Sequence, residues 1–450
     1  MIAQRRLGHN FALQRAAELA RDLDKPLLVL EALRCGYRWA SDRIHRFILD
    51  GMAEREGTPG YWPYVEPAPG AGKGLLAALA RDASAVVTDD FPCFFLPRMV
   101  RAAGPQLGVT LEAVDGNGVL PLRLSERTWP SAYAFRRFMQ KNITACLVQE
   151  PLAQPLELAR AAEESLLDDK LLRRWPRTLL ARVKLAELPI DHSVLPTLRG
   201  GSTPAGARLE RFVHSGLGRY ADDRNEIEDD PSSGLSPYLH FGHIGTHQVL
   251  GSLAGLEGWT PARLAQRATG KRAGFWGMSE GAEAFLDQIV TWRELGYHFC
   301  AREERYDRFE SLPLWAQITL TEHASDKRKT LYNLAEFDSA STHDPLWNAA
   351  QRQLRRDGIM HNYLRMLWGK KILEWTASPQ EALNIMIEMN NRYALDGRDP
   401  NSYSGIFWCL GRFDRPWGPR RPVFGSVRYM SSESTARKMN VRGYLTRYGA

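Results

Sequence analysis

The amino-acid sequence predicts an α/β region at the N-terminus followed by an all-α region at the C-terminus. At 450 residues the chain exceeds the usual size of one hydrophobic core, so two or more domains are expected. Over the first third, short apolar runs alternate with helical patterns, which is typical of a parallel β-sheet covered by helices. Beyond Ala205 the strand patterns nearly vanish and helical periodicity dominates.

Three short apolar runs in the first third are predicted strands, at residues 26–30, 84–88 and 109–114. Helical periodicity occupies the segments around them, at 11–23, 43–54, 74–80 and 98–103. The chain opens directly on a helix, whereas such sheets normally open on a strand. We therefore expect the first strand of this domain to be missing.

The predicted domains are an α/β domain over 1–115, an interdomain linker over 116–205 and a helical domain over 206–450. The linker is expected because prolines interrupt its short helical pieces. In the last domain, helices are predicted at 207–215, 245–254, 281–299, 346–357, 361–375 and 379–389.

Positive charge is concentrated near the C-terminus. The whole chain carries 59 basic and 52 acidic residues, a net charge of +7. Between Arg412 and Arg447, nine basic residues stand against Asp414 and Glu433, and nine minus two is again seven. Such a stretch indicates either a polyanionic partner or a solvated surface.

Composition and cysteine spacing exclude several classes of protein. With 44% hydrophobic and 25% charged residues, the chain is globular and not disordered. Its five cysteines are far apart and form no Cys-x-x-Cys pair, which excludes a disulfide scaffold or zinc ribbon and suits the reducing cytoplasm. No apolar run approaches the roughly 20 residues that span a bilayer, so no membrane partner is expected.

Two suggestive motifs carry little weight. The run at 69–74 resembles a phosphate-binding loop, but Pro67 stands where its first glycine belongs and Gly74 where its hydroxyl residue belongs. His240, His243 and His247 have metal-like spacing without a carboxylate or cysteine to complete a tetrahedral site. No metal site is predicted.

Other segments combine polar and aromatic residues in ways that suggest binding. Ser233 and Ser236 precede a helix start, which suits either a bound phosphate or a simple N-cap. Glu294 follows Trp292 in a largely apolar helix, where a carboxylate is a functional acid or a member of an ion pair.

A stripe on one helical face is formed by Leu364, Trp368, Ile372 and Trp375, with the two tryptophans about 10.5 Å apart along the axis. Such a stripe is usually core, but Arg365 beside it requires an anionic partner or a cofactor. Further on, tryptophans are interleaved with arginines, the combination that binds opened or single-stranded nucleic acid.

Five segments in this order resemble the photolyase/cryptochrome superfamily, most closely the class II cyclobutane pyrimidine dimer photolyases. They read LSPYLHFG (235–242), HDPLWNA (343–349), MHNYLRMLWGKKILEW (360–375), LDGRDPN (395–401) and RPVFGSVRYM (421–430). The match extends from roughly Ser84 to the C-terminus and is strongest from Tyr220 onward. None of the segments would be specific alone, but together they are.

The resemblance implies a Rossmann-like α/β antenna domain, with its first strand missing, and an all-α domain that binds FAD. It implies light-driven repair of cyclobutane pyrimidine dimers by electron transfer from reduced FAD to a flipped-out dimer. The expected partner is DNA containing such dimers, and the expected state is a cytoplasmic monomer. An antenna chromophore, a deazaflavin or another pigment, stays open.

The resemblance also assigns residues by position. The FAD-binding residues would be Tyr220, Ser233, Leu235, Ser236, Trp292, Arg293, Asn348, Arg365, Asp396 and Arg398, with Arg365 and Asp396 paired beside the isoalloxazine. The catalytic residues would be Glu294 at the dimer carbonyls, Asn390 at flavin N5, and the electron-transfer tryptophans Trp368, Trp347 and Trp375. The DNA-binding residues would be Asn362, Met366, Trp408, Trp417 and Arg428.

Two positions depart from the family pattern. Gly234 stands where many relatives place Asn, and Asn362 stands where class II members usually have Gly. The alternatives are a cryptochrome-like photoreceptor, repair of another ultraviolet photoproduct, or a light-independent nucleic-acid-binding protein with an inactive flavin pocket. Retention of Glu294, Trp408 and the basic stretch favours repair.

Overall fold

The computed structural model describes residues 1–229 and 231–449, and these ranges contain four β-strands and twenty α-helices. The strands are β1 (Val29–Leu33), β2 (Tyr61–Val65), β3 (Ala85–Asp89) and β4 (Thr110–Val114). The first ten helices are α1 (Phe11–Asp22), α2 (Asp42–Arg55), α3 (Leu75–Ala80), α4 (Leu96–Ala103), α5 (Ala132–Cys146), α6 (Asp169–Arg174), α7 (Ser202–Arg211), α8 (Leu217–Asp223), α9 (Ser236–His240) and α10 (Thr246–Glu257).

The remaining helices are α11 (Glu280–Leu286), α12 (Arg293–Arg302), α13 (Leu314–Glu322), α14 (Leu334–Asp338), α15 (Pro345–Asp357), α16 (Asn362–Glu374), α17 (Pro379–Tyr393), α18 (Pro400–Cys409), α19 (Ser432–Lys438) and α20 (Arg442–Tyr448). Two segments are π-helical, Phe212–Gly216 and Asp287–Trp292. Single 3-10 turns occur at Gly104–Gln106, Leu122–Leu124, Pro155–Leu158, Glu164–Leu166, Leu180–Arg182, Leu185–Glu187, Pro261–Arg263 and Phe309–Ser311.

The chain forms two compact units whose segments alternate along the sequence. Unit 1 comprises Met1–Pro121, Ile143–Arg211 and Gly234–Trp259. Unit 2 comprises Leu122–Asn142, Phe212–Ser233 and Thr260–Ala450, and is described to residue 449. Each unit therefore draws on segments that are distant in the sequence.

Unit 1 contains all four strands of the described ranges. Strands β1 and β2 pair in parallel, as do β3 and β4, so that the strands form two two-stranded sheets. The residues that precede α1 form no strand but contact both sheets. The Met1 ammonium donates to the Leu30 carbonyl at 2.9 Å, and the backbone N–H groups of Ile2 and Ala3 donate to the Asp89 carboxylate at 2.7 and 2.8 Å. The predicted fold class is confirmed, with three strands close to their predicted positions.

Strand β2 was not predicted from the sequence because Pro63 lies at its centre. Proline cannot donate to a ladder and is confined to strand edges. Here β2 pairs with β1 alone, and Thr178 contacts it in place of another strand. The Pro63 carbonyl accepts from the Thr178 N–H at 2.9 Å, and the Val65 N–H donates to the Thr178 hydroxyl at 2.9 Å.

A buried ionic cluster fastens unit 1 internally. The Glu31 carboxylate accepts from Arg5 at 2.8 Å, from Arg55 at 2.7 Å and from the Tyr61 hydroxyl at 2.6 Å. Burial alone would raise the pKa of Glu31, but the two guanidinium groups and the hydroxyl outweigh it and lower the pKa to about 2. All four side chains satisfy one another, which is how buried charge is tolerated.

Unit 2 is helical, and no strand is assigned in the described ranges beyond Val114. The predicted helix at 281–299 is interrupted by the π-helical segment between α11 and α12. A buried ion pair begins that segment, since Arg136 of α5 donates to Asp287 at 2.7 Å. The 15-residue helix α5 lies within the segment whose prolines predict a linker, and periodicity did not reveal it.

Candidate functional site

An ion pair joins α16 to the turn after α17. Arg365 donates to both carboxylate oxygens of Asp396, at 3.0 and 3.3 Å, so the expected pairing of these two residues is confirmed. Their side chains are 16% and 13% exposed, so neither charge is fully enclosed by the protein.

Asn390 lies in the last turn of α17, close to that ion pair in the sequence, and is buried. Its amide Nδ2 donates to the Ser402 hydroxyl at 2.6 Å, which fixes the orientation of the side chain. The neighbouring Asn391 donates to the Tyr403 hydroxyl at 3.1 Å and accepts the Arg398 N–H at 2.8 Å. Residues of α18 thus hold the segment from Asn390 to Arg398. These hydrogen bonds fix the orientation of both side-chain amides without a ligand.

Arg398 and Asn348 are occupied by the protein itself. The Arg398 guanidinium donates to the carbonyls of Asn391, Ala394 and Leu395, and the residue has a positive φ of 65°. Asn348 holds both the backbone and the hydroxyl of Thr342 through its side-chain amide. In this structure both predicted binding residues shape the backbone of their own segments.

The three predicted electron-transfer tryptophans lie together in unit 2 and are all buried. The indole N–H of Trp347 donates to the Trp368 carbonyl at 3.1 Å. The rings of Trp347 and Trp375 are 6.0 Å apart, edge to face. The contacts between the tryptophans therefore run from Trp368 through Trp347 on α15 to Trp375. They do not follow the face of α16 alone.

Sequence reasoning missed several partners of these tryptophans. Gln351 accepts the Trp368 indole N–H at 2.9 Å, one turn beyond Trp347 on α15. Tyr332 and His343 lie against Trp375, with ring centroids 5.7 and 5.0 Å away, and hydrogen-bond to each other at 2.7 Å. Gln351 lies four positions after Trp347, so helical spacing could have indicated that the two share a face of α15. Nothing in the sequence indicated Tyr332.

Glu294 and its neighbours lie directly after a π-helical segment. π-Helical turns are rare and frequent at functional sites. Trp292 closes that segment and is partly exposed within an otherwise buried run, while Glu294 is 1% exposed. Arg293 donates to the Tyr297 hydroxyl at 2.9 Å, and that hydroxyl donates to Asp399 at 2.8 Å. These bonds fix α12 against α18.

The predicted ribityl–phosphate residues are divided between the two units. Tyr220 and Ser233 belong to unit 2, where Tyr220 is buried against Phe285 with ring centroids 5.4 Å apart. Leu235 and Ser236 belong to unit 1, where Leu235 is buried and Ser236 is exposed at the start of α9.

Gly234 departs from the family pattern for a reason visible in unit 1. Its φ is +60°, and a Cβ placed on it would lie 2.2 Å from the Arg208 guanidinium. The arginine therefore occupies the space that a side chain at this position would need. A side-chain amide at position 234 would require Arg208 to move.

A cavity of about 390 Å³ opens within unit 2. All five predicted DNA-binding residues line it: Asn362, Met366, Trp408, Trp417 and Arg428. The other lining residues are Tyr363, Gly418, Pro419, Arg421, Val427, Tyr429, Met430 and Lys438. The lining thus combines aromatic rings with cations.

The cations and rings of this cavity are held in fixed stacks. Arg428 lies 3.9 Å from the ring centroid of Trp417 and 5.4 Å from that of Trp408. Asp414 accepts from the Arg428 guanidinium at 2.8 and 3.0 Å and from the Trp417 indole N–H at 3.2 Å. Burial raises the pKa of Asp414, but these donors outweigh it and lower the pKa below the usual value.

Most of the basic stretch is exposed, and one member is not available to a partner. Arg412 is buried, with its guanidinium 4.1 Å from the Phe299 ring centroid and donating to the Ser311 carbonyl. Arg415, Arg420, Arg421, Arg437, Lys438, Arg442 and Arg447 are exposed. The net positive charge of this region therefore faces solvent.

Neither a membrane span nor a metal site is found within the described ranges. No helix there is long and apolar enough to cross a membrane, and no group of three or more His, Cys, Asp or Glu side chains is placed to hold a metal ion. The five cysteines form no disulfide.

Several curated relatives match almost the whole chain. A deoxyribodipyrimidine photo-lyase of Methanothermobacter thermautotrophicus is 35% identical over 454 aligned residues, covering 99% of this chain and 93% of the relative. One from Oryza sativa subsp. japonica is 33% identical, covering 99% of this chain and 86% of the relative. No family model matches.

A solved structure has the same fold. The crystal structure of a bacterial class III photolyase from Agrobacterium tumefaciens superposes with a TM-score of 0.69 over 99% of this chain and 84% of that chain, at 17% identity. At that identity the likeness establishes the architecture alone.

Proposed function

Since the chain belongs to the deoxyribodipyrimidine photo-lyase family, we propose that it repairs cyclobutane pyrimidine dimers in DNA by light-driven electron transfer, as a class II member. The observation that carries the proposal is the aromatic and cationic cavity of unit 2. Its lining residues come from α16, α18 and the basic stretch, and include all five that the resemblance assigns to DNA.

The residues present fit the FAD that the family uses. Arg365 and Asp396 form an ion pair that is partly open, and a cation there suits an anionic reduced isoalloxazine. Asn390 is buried and oriented by Ser402, as a group facing flavin N5 must be. Reduced FAD would supply the photoexcited electron donor.

The resemblance assigns eight further residues to FAD. They are Tyr220, Ser233, Leu235, Ser236, Trp292, Arg293, Asn348 and Arg398. Trp292 is the member whose exposure supports the assignment most directly, because it opens to solvent within a buried helix. Arg293, Asn348 and Arg398 would act indirectly, because their hydrogen bonds fix the position of neighbouring backbone and side-chain groups.

A cyclobutane ring cannot be split inside the base stack, so the dimer must be flipped out of the duplex. We propose that the dimer enters the cavity and lies against Trp408 and Met366, while Asn362 contacts the lesion. Trp417 and Arg428, held together by Asp414, would face the space that the dimer leaves. The exposed basic residues would neutralise the phosphates of both damaged and undamaged DNA.

Glu294 would donate a hydrogen bond to the dimer carbonyls. A buried carboxyl group that stays protonated stabilises an extra electron on a carbonyl, because negative charge develops on the oxygen. Electron supply would follow the tryptophans, from Trp375 through Trp347 to Trp368. Glu294 would thus act on the substrate, whereas the tryptophans would supply the electrons that keep the flavin reduced.

An aromatic surface of unit 1 supports a second chromophore there. The rings of Trp39 and Phe94 stack 5.9 Å apart, and Arg38 lies 4.5 Å from the Trp39 ring centroid. Both aromatic residues have positive φ, 68° and 60°, which is a strained conformation for bulky side chains. Both follow the carboxyl ends of strands, β1 and β3, where α/β sheets bind ligands. A second absorbance band that is present in wild type and lost in Trp39→Ala would show that a pigment binds at this surface.

We further propose a cytoplasmic monomer. The absence of disulfides among the five cysteines supports a reducing compartment. Gel filtration of the purified protein against its mass of 50.9 kDa tests the monomer directly.

The decisive test of the function is repair of a thymine-dimer oligonucleotide by chemically reduced protein under blue light. Dimers should disappear in light and persist in the dark, and a (6-4) photoproduct should persist in both. Glu294→Gln should lower repair per absorbed photon more than it lowers affinity for the lesion. A flavin-bound protein that repairs neither lesion would favour the photoreceptor alternative.

A further inference from the structure

Lys370 is a buried cation that none of the roles above uses. It lies on α16 at 0% exposure, and its ammonium donates to the Cys409 carbonyl at 2.7 Å. Among the described residues no carboxylate forms an ion pair with it. Burying a charge without such a pair is costly, so its position calls for an explanation.

The ammonium lies against a ring of the lesion cavity. Its nitrogen is 4.9 Å from the ring centroid of Trp408. Trp408 lines the cavity and is partly exposed, whereas Lys370 is fully buried and does not line it. The charge therefore lies on the protein side of the ring, while Arg428, 5.4 Å from the same ring centroid, lines the cavity with Trp408.

Close packing of α16 and α18 fixes this arrangement. A Cβ on Gly369 would lie 2.6 Å from the Cys409 sulfur, so only glycine permits the approach. Met366, one helical turn before Lys370, lines the cavity beside Trp408. The backbone thus places the ammonium behind the same ring that the dimer is proposed to meet.

A cation on one face of an indole draws π density toward itself. The opposite face becomes less negative and binds an electron-rich partner better. In the proposed repair the dimer gains an electron from reduced FAD and returns it after the ring has split, so no net oxidation occurs. During that interval a fixed positive charge in a low-dielectric surrounding is strongly stabilising.

We propose that Lys370 is a positioning residue for repair, whose buried charge orients Trp408 and stabilises the dimer while it holds the extra electron. This inference rests on the proposed function. Lys370 acts through the ring and touches neither substrate nor cofactor.

The charge of Lys370 is expected to titrate close to physiological pH. Burial lowers the pKa of Lys370 to about 8, so the ammonium loses its proton as the pH rises through that value. Three other groups act on the charge of Lys370. Burial raises the pKa of Cys409 to about 11, and the charged neighbours are Asp414, whose pKa is lowered, and Arg428.

The test compares wild type with Lys370→Met, using chemically reduced protein and a thymine-dimer duplex. Below pH 8 the variant should repair about three- to tenfold fewer dimers per absorbed photon, a smaller loss than that of a donor in direct contact. Lesion affinity in the dark should change less than the yield. Lys184→Met is the control: it removes an exposed charge of unit 1 that pairs with Glu187. Its yield should stay at the wild-type value.

The pH profile separates this role from a merely structural one. The wild-type yield should fall as the pH rises through about 8, whereas the Lys370→Met yield should stay flat at its lower level. The thermal midpoint of the variant should not drop, because it removes a buried charge. Equal yields in both proteins, or a wild-type yield constant from pH 7 to 9, would overturn the proposal.

These outcomes are distinct from failure of the proposed function. If wild type binds flavin but repairs no dimers under light, the function itself is wrong. If wild type repairs dimers and Lys370→Met does so equally well at every pH, only the role of Lys370 is wrong. Should the variant not fold, the wild-type pH profile still decides.

Discussion

Both units bury charge, but they use it differently. In unit 1 the carboxylate of Glu31 is surrounded by Arg5, Arg55 and the Tyr61 hydroxyl, and the cluster closes on itself. Unit 2 also holds closed pairs such as Arg136 with Asp287, but two of its charged sites are not closed in this way. Arg365 and Asp396 retain some exposure, and Lys370 has a ring in place of a counter-ion.

The difference separates charge that stabilises a fold from charge that serves a ligand. A closed cluster is satisfied by the protein alone, so nothing further is expected to bind it. An open pair or an ammonium behind a ring is incompletely satisfied, and a ligand can complete it. On this comparison the open charges of unit 2 are candidates for ligand binding, whereas the Glu31 cluster of unit 1 is structural.

Removing one member of the open ion pair should have the largest effect. Asp396→Ala leaves Arg365 buried without its partner, which typically costs about 3–5 kcal/mol. We expect mostly apoprotein, with flavin absorbance per protein at least about tenfold lower. Asp223→Ala, which breaks an exposed pair with Arg219, should keep full flavin content. Unchanged flavin in Asp396→Ala would remove the pair from the cofactor site.

The next effect concerns light-driven reduction of the flavin. Trp368→Phe keeps an aromatic ring in the core but removes the easily oxidised indole and its hydrogen bond to Gln351. Photoreduction should slow strongly, while repair by chemically reduced protein should persist. Trp259→Phe, a buried substitution in unit 1, is the control and should photoreduce normally. Normal photoreduction in Trp368→Phe would show that this tryptophan is merely core.

Acid should weaken unit 1 more than unit 2. Burial lowers the pKa of His45 and His247 in unit 1 and of His298 in unit 2 to about 4, and that of His243 in unit 1 well below its usual value. Between pH 6.5 and 4 the unfolded chain binds protons that the folded chain does not, so stability falls as the pH falls.

Each such histidine contributes about 2–3 kcal/mol over this interval. Hydrogen exchange read separately for each unit should therefore show a greater loss of protection in unit 1. Equal losses in the two units would contradict the assignment of these buried histidines.

Much of the architecture could be predicted because local patterns agree with the fold. Apolar runs marked β1, β3 and β4, and helical periodicity marked α15, α16 and α17. Chemistry required an anionic partner or a cofactor for Arg365, and the family resemblance named Asp396 as that partner. These features depend on residue type and spacing within one segment, or on a single obligatory partner.

The remainder depends on tertiary contacts. Strand β2 was missed because Pro63 argues against a strand unless its edge is known to lack a neighbouring strand. The route from Trp368 to Trp375 passes through Trp347 on another helix, which periodicity along α16 cannot reveal. The sequence does not indicate a role for Lys370, because the ring that it contacts, Trp408, lies 38 positions later.

The central claim is that the open cavity of unit 2 recognises a flipped dimer, and affinity for damaged against undamaged duplex tests it most directly. Stacking contributes about 1–3 kcal/mol per base, so Trp408→Ala should weaken binding of the thymine-dimer duplex about five- to 150-fold. Binding of the undamaged duplex should change little. Arg437→Ala, an exposed basic residue outside the cavity, should weaken both duplexes alike. If Trp408→Ala also weakened both equally, Trp408 would be a general DNA contact and the cavity would lose its role in dimer recognition.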